Sequence, residues 1–200
     1  MITLIYGVIG LPRAGKTTFL TSCAVHWMQG KKYMHIPPAP VYTNFWCPGA
    51  YKLDFDTLGI YHYSDCNILI DEIMLLADNR NFKTFPEHLK MFFALHGHFH
   101  INLIWCSQNW DCDRKIRSLT QQLFLLERGK ILTNFSFVKP IYRKIDFDRH
   151  NVTESFTIGA PLEWIPIYRP KYYQNFDSFE TDDLQDFVPE KWEHKREVVL

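Results

Sequence analysis

The stretch Gly10-Leu11-Pro12-Arg13-Ala14-Gly15-Lys16-Thr17 decides the fold of this 200-residue chain. It fits the pattern G-x-x-x-x-G-K-[ST] at every fixed position. The glycines let the backbone bend so that successive N–H groups face phosphate oxygens. A buried strand is predicted just before the loop, over Ile2 to Ile9, and a helix just after it, over Lys16 to Gln29. This context indicates a phosphate-binding loop rather than a chance glycine turn.

The parts of this loop have separate predicted contacts with a nucleoside triphosphate. Lys16 is expected to reach the β- and γ-phosphates, and the Thr17 hydroxyl is expected to be a ligand of Mg²⁺. The positive end of the following helix dipole adds to the attraction for phosphate. The predicted nucleotide-binding residues are Gly10, Leu11, Pro12, Arg13, Ala14, Gly15, Lys16, Thr17 and Thr18.

A second apolar stretch, Asn67 to Ile70, ends in two acids and reads as a short strand. Asp71 is predicted to hold Mg²⁺ and its water shell, and Glu72 to polarise the attacking water as general base. The alternative is a helix N-terminus at which the dipole favours acids. Beside an intact phosphate loop, the paired acids favour a nucleotide hydrolase that does mechanical work.

A third predicted strand, Ile101 to Cys106, is followed by the polar residues Ser107 and Gln108. A polar side chain at this strand end is placed to sense the γ-phosphate between the two nucleotide-binding strands. We predict Gln108 for this role, with Ser107 as the alternative.

A short charged helix is predicted over Asp111 to Leu119, and it carries three cations in Asp113-Arg114-Lys115-Ile116-Arg117. Ring-forming ATPases insert an arginine from one subunit into the site of the next, where it stabilises transition-state charge. Arg117 or Arg114 could do this, and Arg117 is the predicted catalytic residue. A solvated helix face is the alternative.

The run His96-Gly97-His98-Phe99-His100 suggests a metal site at first sight. It joins a helix predicted over Pro86 to His96 to the next strand, so its side chains are expected to diverge. No cysteine or acid is positioned to complete four ligands. Capping of the helix end is the preferred interpretation.

The chain divides by pattern into three parts. Residues 1–128 alternate strands and helices and are predicted to form an α/β core. Residues 129–150 are predicted to form a β-hairpin, because Ile131 to Val138 and Ile141 to Phe147 alternate around Lys139-Pro140. Residues 151–200, rich in Pro, Tyr, Trp and Asp, are predicted to be an irregular tail.

Charge argues against one class of protein, a wholly basic DNA binder. Lys+Arg and Asp+Glu both number 22, so the net charge is zero, whereas aromatic residues reach 16% of the chain. The balance is uneven along the sequence, since Arg114 to Arg149 carries nine Lys/Arg against three Asp/Glu. A motor with one basic face for nucleic acid or a neighbouring subunit remains compatible with this pattern.

The cysteines and the apolar runs predict the compartment. The five cysteines are odd in number and lack C-x-x-C spacing, which indicates reduced thiols rather than a disulfide framework or zinc site. Ile2 to Leu11, the most apolar stretch, is too short to span a bilayer and lacks the basic flank of a signal peptide. A cytoplasmic protein without a membrane span is therefore expected.

The order of these features resembles one known family. A phosphate loop near the N-terminus is followed by the strand end Thr43-Asn44, by I-L-I-D-E, by L-H-G-H-F-H-I-N-L-I-W-C-S-Q-N and by D-R-K-I-R-S-L. This resembles the zonular occludens toxin-like (Zot-like) family, which includes the filamentous-phage assembly ATPase and is related to the FtsK/HerA motors. The resemblance covers roughly residues 3–130.

The resemblance implies a RecA-like parallel sheet flanked by helices, with ATP and Mg²⁺ at the C-terminal ends of the strands. It also implies an ATPase that exports or packages single-stranded phage DNA. The ATPase is expected to form a ring and to have phage coat or membrane assembly proteins as partners. By motif, Lys16, Thr17, Asp71, Glu72 and Gln108 are the implied site residues. Members usually continue into a membrane-spanning helix, so attachment to the cytoplasmic face of the inner membrane is expected through a partner or another segment. The usual motif has arginine where this chain has the glycine between its first two histidines.

Two other functions stay open at the level of sequence. A nucleotide or small-molecule kinase also uses a phosphate loop in a chain of this size, although the Asp-Glu pair and the lack of an Arg-rich lid favour the hydrolase. A nucleotide-gated interaction module with little hydrolysis would use the aromatic tail for docking. Phosphate release without an acceptor distinguishes the hydrolase from both.

Overall fold

The computed structural model describes residues 3–73, 87–108, 116, 119–147 and 152–176. Within these ranges it has two α-helices and nine strands around one sheet. The helices are α1 (Lys16–Met28) and α2 (Glu87–Leu95). The strands are β1 (Ile5–Ile9), β2 (Val41–Thr43), β3 (Tyr51–Lys52), β4 (Asn67–Ile70), β5 (Asn102–Ser107), β6 (Gln122–Arg128), β7 (Phe135–Phe147), β8 (Val152–Ile158) and β9 (Ile165–Tyr168).

The strand order is β3-β2-β4-β5-β1-β6-β7-β8, and β9 pairs with β7. The first six strands in this order are parallel to their neighbours, and β7, β8 and β9 join by antiparallel pairing. This order places the phosphate loop, which follows β1, at the middle of the sheet. The strand ends that carry the predicted acids and Gln108 lie on one side of the loop, and β6 and β7 lie on the other.

Two apolar cores cover the two faces of the sheet, as expected for parallel strands buried on both sides. Alternation along each strand sends neighbouring side chains to opposite cores. On β1, Ile5 packs in the core that contains Phe92 and Phe93 of α2, whereas Tyr6 packs in the core that contains Phe19 of α1. The described part of the sheet therefore has the layered α/β form that the sequence predicts.

The position predicted for the hairpin reversal is wrong. Lys139-Pro140 is not a turn, because β7 runs through both residues and pairs with β6 over Leu123–Arg128. The reversal lies in residues 129–134, between β6 and β7. The Pro140 carbonyl accepts a hydrogen bond from the N–H of Gly159, so this carbonyl faces the side of β7 on which β8 and β9 lie. In a strand the N–H of a residue points to the same side as its carbonyl. The missing N–H of Pro140 therefore faces the gap between the residues that pair with β8 and those that pair with β9, where proline is tolerated.

The description of residues 151–200 as irregular is also wrong for the part that the structure describes. Strands β8 and β9 and the 3-10 helices Pro161–Glu163 and Arg169–Asn175 lie in this segment. Ile167 and Tyr172 are buried in the α1-side core, and Tyr172 lies beside His26 of α1. The segment lacks visible periodicity because its aromatic residues pack against different partners: Trp164 and Tyr168 against β7, and Tyr172 against α1.

None of the helices that the structure describes has the length and hydropathy needed to cross a bilayer.

Candidate nucleotide-binding site

The loop between β1 and α1 has the shape that the motif predicts. Arg13 and Gly15 have positive φ values of 63° and 99°, which turn the backbone into the first turn of α1. The N–H of Gly10 donates to the carbonyl of Ser107 at 3.1 Å, which ties the loop to the end of β5. Lys16 is buried, and its Nζ donates to the carbonyls of Gly10 at 3.0 Å and Leu11 at 3.4 Å. The ammonium group therefore lies within the curve of the loop.

Thr17 and Asp71 meet although 54 residues separate them. The Thr17 hydroxyl donates to Asp71 Oδ2 at 2.5 Å, because the start of α1 faces the end of β4. Burial raises the pKa of the Asp71 carboxyl, and the Thr17 hydrogen bond and the charge of Lys16 oppose that rise. A hydroxyl and a carboxylate are hard oxygen donors, which is the ligand chemistry of Mg²⁺. The pair fits the ion that the sequence predicts.

Glu72 lies next to the end of β5. Its φ of 54° turns the chain sharply after β4, and its N–H donates to Asp71 Oδ1 at 3.1 Å. Glu72 Oε1 accepts a hydrogen bond from the backbone N–H of Gln108 at 3.4 Å. The predicted base and the predicted γ-phosphate sensor are therefore neighbours, although their contact uses the Gln108 backbone.

A cavity of about 750 Å³ contains most of the predicted residues. Nine of them line it: Pro12, Arg13, Gly15, Lys16, Thr17, Thr18, Asp71, Glu72 and Gln108. The loop residues Gly10, Leu11 and Ala14 do not. Within the loop, Gly10 and Ala14 are buried, whereas Leu11 is 76% exposed.

Four further residues line the same cavity that the sequence analysis did not single out. They are Arg128, Arg169, Tyr173 and Phe176. All four belong to β6 or to the segment after β9. No motif marks them; the sequence signals are the basic stretch Arg114 to Arg149, which contains Arg128, and the abundance of aromatic residues after residue 150. Arg13, Lys16, Arg128 and Arg169 together put four cations around the cavity, against two acids, which suits a polyphosphate.

The C-terminal part of the described chain packs directly against the loop. Ser136 Oγ on β7 donates to the carbonyl of Ala14 at 2.6 Å. A Cβ placed on Gly15 would lie 2.8 Å from Ser136 Oγ and 3.1 Å from Cδ of Arg169. Only a glycine fits this position, because both the positive φ and the close packing exclude a side chain.

The other predictions concern the basic residues after β5 and the histidine run. Arg114 and Arg117 lie outside the described residues. His96 Nδ1 lies 2.7 Å from the carbonyl of Phe93 near the end of α2, in agreement with the predicted capping, and His100 Nδ1 lies 3.1 Å from Asp65 Oδ1. Within the described ranges, no three His, Cys, Asp or Glu side chains form a group that could hold a metal ion.

Comparison with solved structures establishes the fold. The N-terminal domain of zonular occludens toxin from Neisseria meningitidis matches with a TM-score of 0.58 and 15% identity, over 88% of this chain and 100% of that chain. This chain has the fold of that toxin domain. The expected RecA-like fold and the structural resemblance to the Zot domain are thereby confirmed.

Weaker matches include two other proteins. The flagellar accessory protein FlaH from Methanocaldococcus jannaschii has a TM-score of 0.48 at 12% identity, over 68% of this chain and 77% of that chain. The genome packaging NTPase B204 from Sulfolobus turreted icosahedral virus 2, in complex with ATP-gammaS, has a TM-score of 0.44 at 13% identity, over 76% and 96%. No protein-family model and no curated protein matches the sequence.

Proposed function

We propose that this chain is a Mg²⁺-dependent ATPase that powers filamentous-phage-type virion assembly or export, or transport of single-stranded DNA. The observation that carries the hydrolase part is the meeting of Thr17 with Asp71 inside a cavity that also contains Lys16 and Glu72. These four side chains come from two separate segments, and each has the chemistry that its place in nucleotide hydrolysis requires. The sequence motif and the tertiary geometry support the same assignment.

In the proposed reaction each residue has one task. The loop amides and Lys16 bind and orient the β- and γ-phosphates. Thr17 and Asp71 would hold Mg²⁺, which when bound neutralises charge on the phosphate oxygens. Glu72 accepts a proton from the attacking water, and Gln108 orients the γ-phosphate end of the nucleotide from the end of β5.

The role in phage assembly is supported by the shared fold with the Zot domain and by the order of motifs in the sequence. We propose a homo-oligomeric ring on the cytoplasmic face of the inner membrane, with phage coat or membrane assembly proteins as partners and single-stranded DNA as a possible cargo. Arg117 is the proposed trans-acting arginine, because a cation in the neighbouring site stabilises transition-state charge.

Phosphate release with ATP and Mg²⁺, and with no other acceptor, tests the hydrolase proposal. Glu72→Gln is expected to lower the rate about 100-fold or more while ATP binding persists, because the base is lost and the loop remains. Lys16→Ala is expected to abolish ATP binding. Glu87→Gln, on the first turn of α2 outside the cavity, is the matched control. An unchanged rate in Glu72→Gln would remove Glu72 as the base, and strict dependence on an acceptor would favour a kinase.

Native mass measurement tests the ring separately. Addition of a nonhydrolysable ATP analogue is expected to shift monomer to ring, and mixed rings of Arg117→Ala with wild-type subunits are expected to lose rate in proportion to the variant subunits. A protein that stays monomeric with the analogue bound would overturn the ring. The same result would leave the hydrolase assignment intact.

A further inference from the structure

The cavity has two chemically different ends, which follow from the strand order. Asp71 and Glu72 follow β4, and Gln108 follows β5, so the catalytic end lies on one side of β1. Arg128 on β6 and three residues after β9, Arg169, Tyr173 and Phe176, line the cavity from the other side of β1. The phosphate loop lies between the two ends.

This arrangement fixes the direction of a bound nucleotide, given the proposed hydrolase function on which this inference rests. The γ-phosphate must be near Glu72 for its proton transfer to occur. The α-phosphate, sugar and base then extend away from Glu72, past the loop and toward the side of β6 and β7. The base therefore reaches the wall formed by the segment after β9.

That wall carries an exposed aromatic pair. The rings of Tyr173 and Phe176 meet edge to face, with centroids 6.3 Å apart and an interplanar angle of 75°. Tyr173 is 51% exposed, whereas the adjacent Tyr172 is 5% exposed and packs in the α1-side core. An exposed ring at a cavity wall offers a π-face to a planar base.

The segment that carries this pair is anchored to the body of the protein. The Arg169 backbone N–H donates to the carbonyl of Asn134 at 2.9 Å, and its Nη2 donates to the carbonyl of Thr133. Along the chain, the buried Tyr172 lies between the anchored Arg169 and the exposed Tyr173. Since the backbone is already held, binding a base there requires little further ordering of the chain.

We propose that Tyr173, supported by Phe176, is the surface on which the nucleotide base stacks. The phosphate loop would thus bind the triphosphate, and the segment Arg169–Phe176 would bind the base. Arg169 is a buried cation that packs against the phosphate loop at this end of the cavity. Its Nε has no hydrogen-bond partner among the described residues. Its charge favours the polyphosphate next to the base.

The test compares two probes, ATP and inorganic tripolyphosphate, by calorimetric titration with Mg²⁺ present. Tyr173→Ala is expected to weaken ATP binding roughly 5- to 150-fold, the range for loss of one aromatic stacking contact. Its affinity for tripolyphosphate, which has no base, is expected to be unchanged. Tyr173→Phe is expected to bind ATP like the wild type, because it keeps the ring. Tyr61→Ala removes an exposed tyrosine outside the cavity and is the matched control.

Each other outcome has a distinct meaning. Unchanged ATP binding in Tyr173→Ala overturns the stacking proposal. Equal loss for ATP and tripolyphosphate also overturns it, because the tyrosine would then support the phosphate site or the fold. Failure of the wild-type protein to bind either probe would instead overturn the proposed nucleotide-binding function.

Discussion

The side-chain amide of Asn44 makes two hydrogen bonds with the backbone of Asp71. Asn44 Oδ1 accepts from the Asp71 N–H at 2.7 Å, and Asn44 Nδ2 donates to the Asp71 carbonyl at 2.8 Å. Asn44 follows β2, and Asp71 follows the neighbouring strand β4. The amide thus bridges two strand ends where their backbone pairing stops, and it holds Asp71 toward Thr17.

Replacement of Asn44 by alanine is expected to lower the Mg²⁺-dependent rate of phosphate release about 10- to 100-fold. This is the usual loss when a residue that orients a metal ligand is removed. ATP affinity without Mg²⁺ is expected to stay close to that of the wild type, because the phosphate loop is untouched. Asn134→Ala, an exposed asparagine outside the cavity, is the control. A wild-type rate in Asn44→Ala would show that Asp71 needs no such support.

Replacement of Ser136 by alanine is expected to lower the free energy of unfolding by about 1 kcal/mol, the contribution of one net hydrogen bond. The lost bond is the one to the carbonyl of Ala14, so ATP binding is also expected to weaken as the loop loses its support from β7. Urea denaturation and ATP titration measure the two effects. If stability falls while ATP affinity is unchanged, β7 does not help to shape the loop.

Replacement of Gly7 by alanine is expected to lower the free energy of unfolding by about 1–3 kcal/mol through overpacking. An added Cβ would lie 2.4 Å from Cζ2 of Trp105, its partner on β5, and 2.8 Å from Cδ2 of Leu123. Urea denaturation measures the change. Gly97→Ala is the control, because its Cβ would meet only the Thr3 hydroxyl at 3.3 Å, and its effect is expected to be much smaller. Equal stability of both variants would contradict the packing argument.

The four described cysteines are expected to resist alkylation in the folded protein. Burial raises the pKa of the Cys47 thiol to about 11 and that of Cys66 to about 12, and it raises the pKa values of Cys23 and Cys106 as well. Only the thiolate reacts, so at pH 8 these thiols react slowly, whereas unfolding restores ordinary pKa values and exposure. Iodoacetamide labelling, quantified by peptide mass spectrometry, is expected to be at least about 10-fold slower without urea than with it. Rapid labelling of Cys23 or Cys106 in the native protein would contradict the burial of these residues.

Local patterns predicted the two elements beside which Thr17 and Asp71 lie. The strand Asn67–Ile70 has the predicted bounds, and α1 begins at the predicted Lys16. These elements are short apolar runs bounded by glycines or acids, so the information that places them lies within a few residues. The meeting of Thr17 with Asp71 followed from the rule that parallel strands end at one edge of the sheet.

Other features could not be predicted because their causes are distant in sequence. Lys139-Pro140 resembles a turn, yet Pro140 lies within a strand because its missing N–H faces the gap between two partner strands. Gly7 lies within the predicted strand, but the sequence does not show why a glycine is needed there: Trp105 packs into the space that a side chain would fill. Neither explanation is visible until the neighbouring strands are known.

The sequence by itself determined the phosphate loop, the acids that face it and the α/β character of the chain, because motif spacing and strand periodicity are local properties. Only the tertiary structure decided that Arg169, Tyr173 and Phe176 line the cavity beside the phosphate loop. That arrangement depends on β9 pairing with β7 and on Tyr172 entering the core beside α1. The β9–β7 pairs join residues 27 to 33 positions apart, and Tyr172 lies beside His26, 146 positions away. No local pattern of charge or hydrophobicity encodes such contacts.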